Sequence, residues 1–253
     1  MKACLPFPSN KKTKHAIILI NSDNLYSAIM DGIHLPKLFN DMLKFDDILI
    51  IANCKNSMDK IQAKLTEYKN ITYSICNSKN MLAQTIKNTI AKIHGELVFI
   101  ISSHGYARGN MNYINYAGSQ IYDYEWNDYI QSPLNNDAEC LVLVDACQSG
   151  TELNLNYKTT DLVNYSNENV GKNNIKNIIC IGAVDDNQYD EDNISELGFG
   201  GGLSSAFIDY CYENKDKTKT IGNFFLFYQN RMKISGKQSI LSFNNMDFLK
   251  KNN

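Results

Sequence analysis

The chain has 253 residues, enough for one domain with a sizeable core, and no linker-like stretch divides it. Its 25 basic and 27 acidic residues leave a net charge of −2, which offers neither nucleic acid nor an anionic membrane a field to follow. The basic residues are nearly all lysine; only Arg108 and Arg231 are arginine.

Residues 1–14 read as a short polar tail, interrupted by Pro6 and Pro8 and without the apolar stretch of a signal peptide. Ala16–Asn21 (AIILIN) is an unbroken apolar run, the pattern of a strand buried on both faces. A helix is predicted over Ile33–Phe45, a second buried strand over Asp47–Ala52, a helix over Met58–Tyr68 and a strand over Ile71–Cys76. Met81–His94 has Leu82, Ile86, Ile90 and Ile93 on one helical face, and Glu96–Ser102 (ELVFIIS) is again a buried strand. Residues 105–120 read as a loop or hairpin, Asp123–Ile130 as a short helix, and Cys140–Asp145 (CLVLVD) as the next buried strand. Residues 150–174 are polar and aperiodic and read as a mobile loop. Ile175–Val184 is a strand, and Gly202–Glu213 and Asn223–Met232 are helices. This alternation predicts an α/β fold with a mainly parallel central sheet flanked by helices on both faces.

No run approaches the roughly 18 apolar residues of a membrane span. The seven cysteines form no CxxC pair, and Cys140 and Cys180 sit in apolar runs as reduced thiols do. The expectation is a cytoplasmic monomer.

Ligands of open parallel sheets bind at the carboxyl ends of strands. Two strand ends carry reactive residues: Ile100-Ile101-Ser102-Ser103-His104-Gly105 and Val142-Leu143-Val144-Asp145-Ala146-Cys147. Parallel, neighbouring strands would bring His104 and Cys147 to one rim. A free thiol is mostly protonated at neutral pH, so a nearby imidazole raises its reactivity or protonates a leaving amine. Gly105 has no side chain, so its N–H, with that of Cys147, can form an oxyanion hole. Taken singly, the plainer readings are a packed core thiol and a His-Gly turn; the pair at two strand ends favours catalysis.

The pattern of an apolar block ending in His-Gly, then an apolar block ending in Asp-x-Cys-x-Ser-Gly, resembles the caspase-like cysteine peptidases, and among them the metacaspases. Leu25–Asp31, Ile121–Glu125, Ala183–Gln188 and Gly236–Ser239 resemble further segments of that family in the same order. Ser103, Ala146 and Gln148 depart from its usual residues. The resemblance implies one peptidase domain over 15–253: large-subunit-like residues 15–157, a linker over 158–174 and small-subunit-like residues 175–253. It implies a cysteine endopeptidase acting on protein or peptide substrates. It also implies a pocket of Asp31, Ser102 and Asp145 for a P1 Arg or Lys. The plainer readings are a helix-terminal charge for Asp31 and a buried helix-capping acid for Asp145. Lys158, Lys172 and Lys176 offer sites for self-cleavage. Tyr124 and Asn154 replace acids of the family's calcium site, so no metal or other cofactor is expected.

Three alternatives compete. They are an inactive caspase-like scaffold, a relative with another P1 specificity such as a legumain-like or gingipain-like peptidase, and a nucleotide-binding protein. The last has little support: the glycines at 198 and 200–202 precede a helix, but no Walker lysine follows. That turn reads as backbone flexibility beside the cleft.

Overall fold

A computed structural model describes residues 12–22, 25–108, 111–150, 153–167, 176–185, 188–217 and 220–252. In chain order these form β1 (Lys14–Ile20), α1 (Tyr26–Leu38), β2 (Asp47–Ala52), α2 (Lys55–Gln62), β3 (Ile71–Ile75), α3 (Lys79–Ile90) and β4 (Glu96–Ser102). There follow β5 (Gly105–Arg108), β6 (Met111–Tyr116), β7 (Ser119–Tyr122), β8 (Glu139–Asp145), β9 (Tyr157–Thr159), β10 (Ser166–Asn167) and β11 (Asn177–Gly182). The chain continues through β12 (Asn193–Ser195), β13 (Gly198–Gly200), α4 (Gly202–Glu213), α5 (Ile221–Ile234), β14 (Ile240–Phe243) and α6 (Met246–Lys251). Two π-helical turns, Phe39–Leu43 and Asn127–Gln131, complete the described elements.

The central sheet runs β10-β9-β14-β11-β8-β4-β1-β2-β3. Its six strands from β11 to β3 are parallel, and β14, β9 and β10 are antiparallel. Every residue of β4 and β8 is buried, which is why those segments are apolar without alternation. Ile18, Ile20, Val98, Ile100, Leu141 and Leu143 face one layer with Leu38, Ile61, Phe207 and Phe224. Ile17, Leu19, Phe99, Ile101, Val142 and Val144 face the other, with Leu82, Ile86 and Trp126. The buried indole of Trp126 lies edge-on to Phe99 and to Tyr129.

The predicted strands and α4 fall where expected, and several boundaries move. The first helix begins at Tyr26, so Asp31 lies inside α1 rather than at its start. Of the expected loop or hairpin over 105–120, the hairpin is what forms: β5, β6 and β7 pair as a separate three-stranded antiparallel sheet. Its inward residues Ile114, Tyr116 and Ile121 are buried, and its outer face carries a row of ring contacts, Tyr106–Tyr113–Tyr122–Tyr124. The expected mobile loop over 150–174 contributes β9 and β10 to the central sheet. Lys158 lies in β9, and the Lys176 ammonium donates to the Leu134 carbonyl and to Asn136 Oδ1, so neither stands on a free loop. Lys172 lies outside the described residues, as do residues 1–11 of the expected tail. No helix among the described residues is long and apolar enough to cross a membrane.

Candidate active site

β4 and β8 are adjacent and parallel, with Glu96 opposite Glu139 at one end and Ser102 opposite Asp145 at the other. Each of His104 and Cys147 follows its strand by two residues, so the ladder register delivers both to one rim. They line a single cavity of about 220 Å³ with Ser102, Ser103, Asp145, Asp190 and Gly201 among its walls. Both residues are half-buried. A Cβ on Gly105 would lie 1.9 Å from the Cys147 carbonyl oxygen; only glycine lets the two strand extensions meet this closely. The chain leaves the cysteine through Gln148, a non-glycine residue at φ 54°. Ser103 N–H donates to the Asp145 carbonyl at 3.2 Å, and Asn21 Nδ2 donates to Ser103 Oγ at 2.8 Å, fixing the segment before the histidine.

The acids occupy three levels. Asp31 is fully buried and does not line the cavity; it accepts from Ser102 Oγ at 2.6 Å and from Gly201 N–H at 3.0 Å. Burial, then the neighbouring Asp145 carboxylate, push its pKa well above the usual range. Asp145 does line the cavity, and its Oδ2 accepts from Ser204 N–H at 2.6 Å in the first turn of α4. The plainer expectation for Asp145, a helix-capping acid, therefore describes part of what it does. Asp190 is the third acid. Its carboxyl hydrogen-bonds to that of Asp145, and burial and this like charge hold its pKa well above the usual range.

The glycine turn serves this stack. A Cβ on Gly200 would sit 2.5 Å from Asp31 Oδ1, on Gly201 2.4 Å from Asp145 Oδ2, and on Gly202 2.7 Å from Asp190 Oδ1. The expected role of backbone flexibility is thus replaced by close approach: each glycine admits one carboxylate. Asp190 and its neighbours went unread in the sequence. The signal was the run Asp190-Glu191-Asp192 shortly before those glycines.

The Cys147 thiol touches this same segment. Asp190 N–H lies 3.3 Å from Sγ, and the Asp190 carbonyl oxygen lies 4.0 Å from it. Burial raises the thiol's pKa, partly offset by that amide. The imidazole of His104 lies with its centroid 6.5 Å from the Tyr106 ring, at the head of the tyrosine row.

A mainly parallel sheet with helices on both faces and an antiparallel outer edge has the architecture of a caspase-like fold. The crystal structure of the Drosophila initiator caspase Dronc is similar over 93% of this chain and 80% of that chain, with a TM-score of 0.53 and 10% identity. No protein-family model and no curated protein matches the sequence.

Proposed function

We propose that this protein is a metacaspase-like cysteine endopeptidase that cleaves protein or peptide substrates after a basic P1 residue. The observation that carries the reading is the β4–β8 register, which puts His104 and Cys147 on one rim above an acid-lined cavity. Cys147 attacks the scissile carbonyl, His104 protonates the leaving amine, and the N–H groups of Gly105 and Cys147 receive the oxyanion. Asp145 draws in a guanidinium or ammonium group. Asp31 supports the pocket from behind by orienting Ser102 and Gly201. A P1 aspartate meets like charge and is rejected. Residues 15–157 and 175–253 correspond to large and small subunits, with residues 158–174 between them.

Hydrolysis of a fluorogenic peptide set varying P1 tests this reading. Cleavage after Arg and Lys that disappears in Cys147→Ala is expected; efficient cleavage after Asp alone overturns the specificity. A second reading, a caspase-like scaffold without activity, draws on the thiol being engaged by Asp190. A thiol-reactive peptide probe with P1 Arg separates the two, since a scaffold leaves Cys147 unlabelled.

A further inference from the structure

We propose that residues 188–192 form a self-occluding strap in which Asp190 stands in for the P1 residue, so that a basic substrate side chain must displace it. The inference rests on the peptidase reading and concerns the regulation of that site. A substrate carbonyl must come within roughly 3–3.5 Å of the sulfur to react. The Asp190 main chain already occupies that position, with its amide 3.3 Å from Sγ. Its side chain reaches Asp145, the group that would receive a P1 cation. The Asp190 amide nitrogen is the nearer main-chain atom to the sulfur, at 3.3 Å, and the thiol reaches the Asp190 carbonyl oxygen only at 4.0 Å, outside attack distance.

Three anchors hold the strap. Gln148 N–H donates to the Gln188 carbonyl at 3.0 Å, and Gln238 N–H donates to Gln188 Oε1 at 2.8 Å. Lys237 pairs with Glu191 at 2.5 Å. The first joins main chain to main chain in the loop after the nucleophile, and the second ties the Gln188 side chain to the main chain after α5, so the strap bridges both walls of the cleft.

The contact between Asp190 and Asp145 needs a proton, because two adjacent carboxylates cannot both ionise at low cost. The other groups around Asp190 are Lys237 after α5, Tyr228 on α5, Cys147 and His104 across the cavity, and Glu191 and Asp192 of its own segment. Asp31 sits behind Asp145, and Arg231 on the far side is paired with Asp209 at 2.7 Å. Since the closed state raises the Asp190 pKa, closure is favoured at low pH and weakens as pH rises through that value. A cationic P1 group opens the strap at constant pH by replacing a proton-sharing contact with an ion pair.

The test is the rate of Cys147 alkylation by iodoacetamide in the full chain, read by peptide mass spectrometry, beside hydrolysis of a P1-Arg peptide. Asp190→Ala should alkylate about tenfold faster than wild type, the effect of one lost buried hydrogen bond on an opening equilibrium. Asp190→Asn keeps a donor to Asp145 and should stay slow; the wild-type to Asp190→Asn rate ratio should rise with pH, the thiol's own titration cancelling. Glu191→Gln, exposed and safe for folding, should accelerate alkylation a few-fold, in keeping with a loosened ion pair. Equal alkylation rates in wild type, Asp190→Ala and Glu191→Gln overturn the strap, whether or not the peptide is cleaved. Faster alkylation without any hydrolysis supports the strap and overturns the peptidase reading instead.

Discussion

The β4–β8 pair has buried acids at both of its ends, and the two ends solve the problem differently. At the amino end Glu139 is paired with Lys12 at 3.3 Å and Lys251 at 2.8 Å. Opposite it, Glu96 is buried with no hydrogen-bond partner for either oxygen, and burial lifts its pKa to about 7. At the carboxyl end, Asp31 and Asp145 receive only N–H and O–H groups, and Lys237, whose field reaches Asp190, is paired with Glu191. Amides and hydroxyls orient a carboxylate without neutralising it. The amino end pairs one acid with two lysines and leaves the other buried with a raised pKa. The carboxyl end is a stack of three acids, Asp31 and Asp190 with raised pKa values, whose nearby lysine Lys237 is already paired with Glu191; on the proposed reading this stack receives a cationic group.

The sharpest way to break this contrast is at the rim. Cys147→Ala and His104→Ala should each lower kcat/KM by at least about a thousandfold, with the double variant little worse than either. The melting temperature should hold, because neither side chain is fully buried. An active Cys147→Ala protein would remove the nucleophile assignment.

Asp145→Asn addresses the charge alone. The amide oxygen still accepts from Ser204 N–H, so stability should change by less than about 1 kcal/mol. Cleavage after Arg should fall roughly 10- to 100-fold, the worth of a charge-assisted hydrogen bond, with no new activity after Asp. A stability loss with unchanged P1 preference would make Asp145 a helix cap and nothing more.

The amino end is tested by pH. Glu96 has a raised folded pKa, so the protonated form is favoured on folding; its contribution is complete below the ordinary glutamate value and is lost as pH rises through about 7. Over that window wild type should lose on the order of 3 kcal/mol relative to Glu96→Gln in urea titrations. Parallel pH profiles for the two proteins would mean that Lys14 and the other nearby lysines already neutralise it.

The smallest effect is expected away from both ends. Tyr113→Ala interrupts the outer tyrosine row and should cost roughly 0.2–1 kcal/mol, as exposed cross-strand pairs do, without altering hydrolysis of short peptides.

The two ends of β4 and β8 were also unequally legible. Fully buried parallel strands write themselves as unbroken apolar runs, so Glu96–Ser102 and the strand ending at Asp145 could be read, and with them the positions of His104 and Cys147. α1 was placed late because it is buried on several sides: Ser27, Ala28, Asp31 and His34 face protein alongside Leu35 and Leu38, which erases the helical period. β9 and β10 have three and two residues, too few for any pattern; β9 is created by pairing with β14, and β10 by pairing with β9. In β6 the inward Tyr116 and outward Tyr113 are the same residue type, which blurred the alternation. The strap was invisible for another reason. Gln188 is held largely through main-chain groups, and Asp190 matters through a fold-back onto residues more than forty positions away.

Trp126 gives the molecule a built-in gauge. It is the single tryptophan, and it lies fully buried against Phe99, on the layer of the sheet opposite α4 and its glycine turn. Its emission should therefore shift to the red when the sheet comes apart and stay constant while the cleft opens or closes. Fluorescence excited at the indole band and alkylation of Cys147 then report two separate transitions from one sample. A variant that merely loosens the whole fold is recognised by its colour before its chemistry is measured.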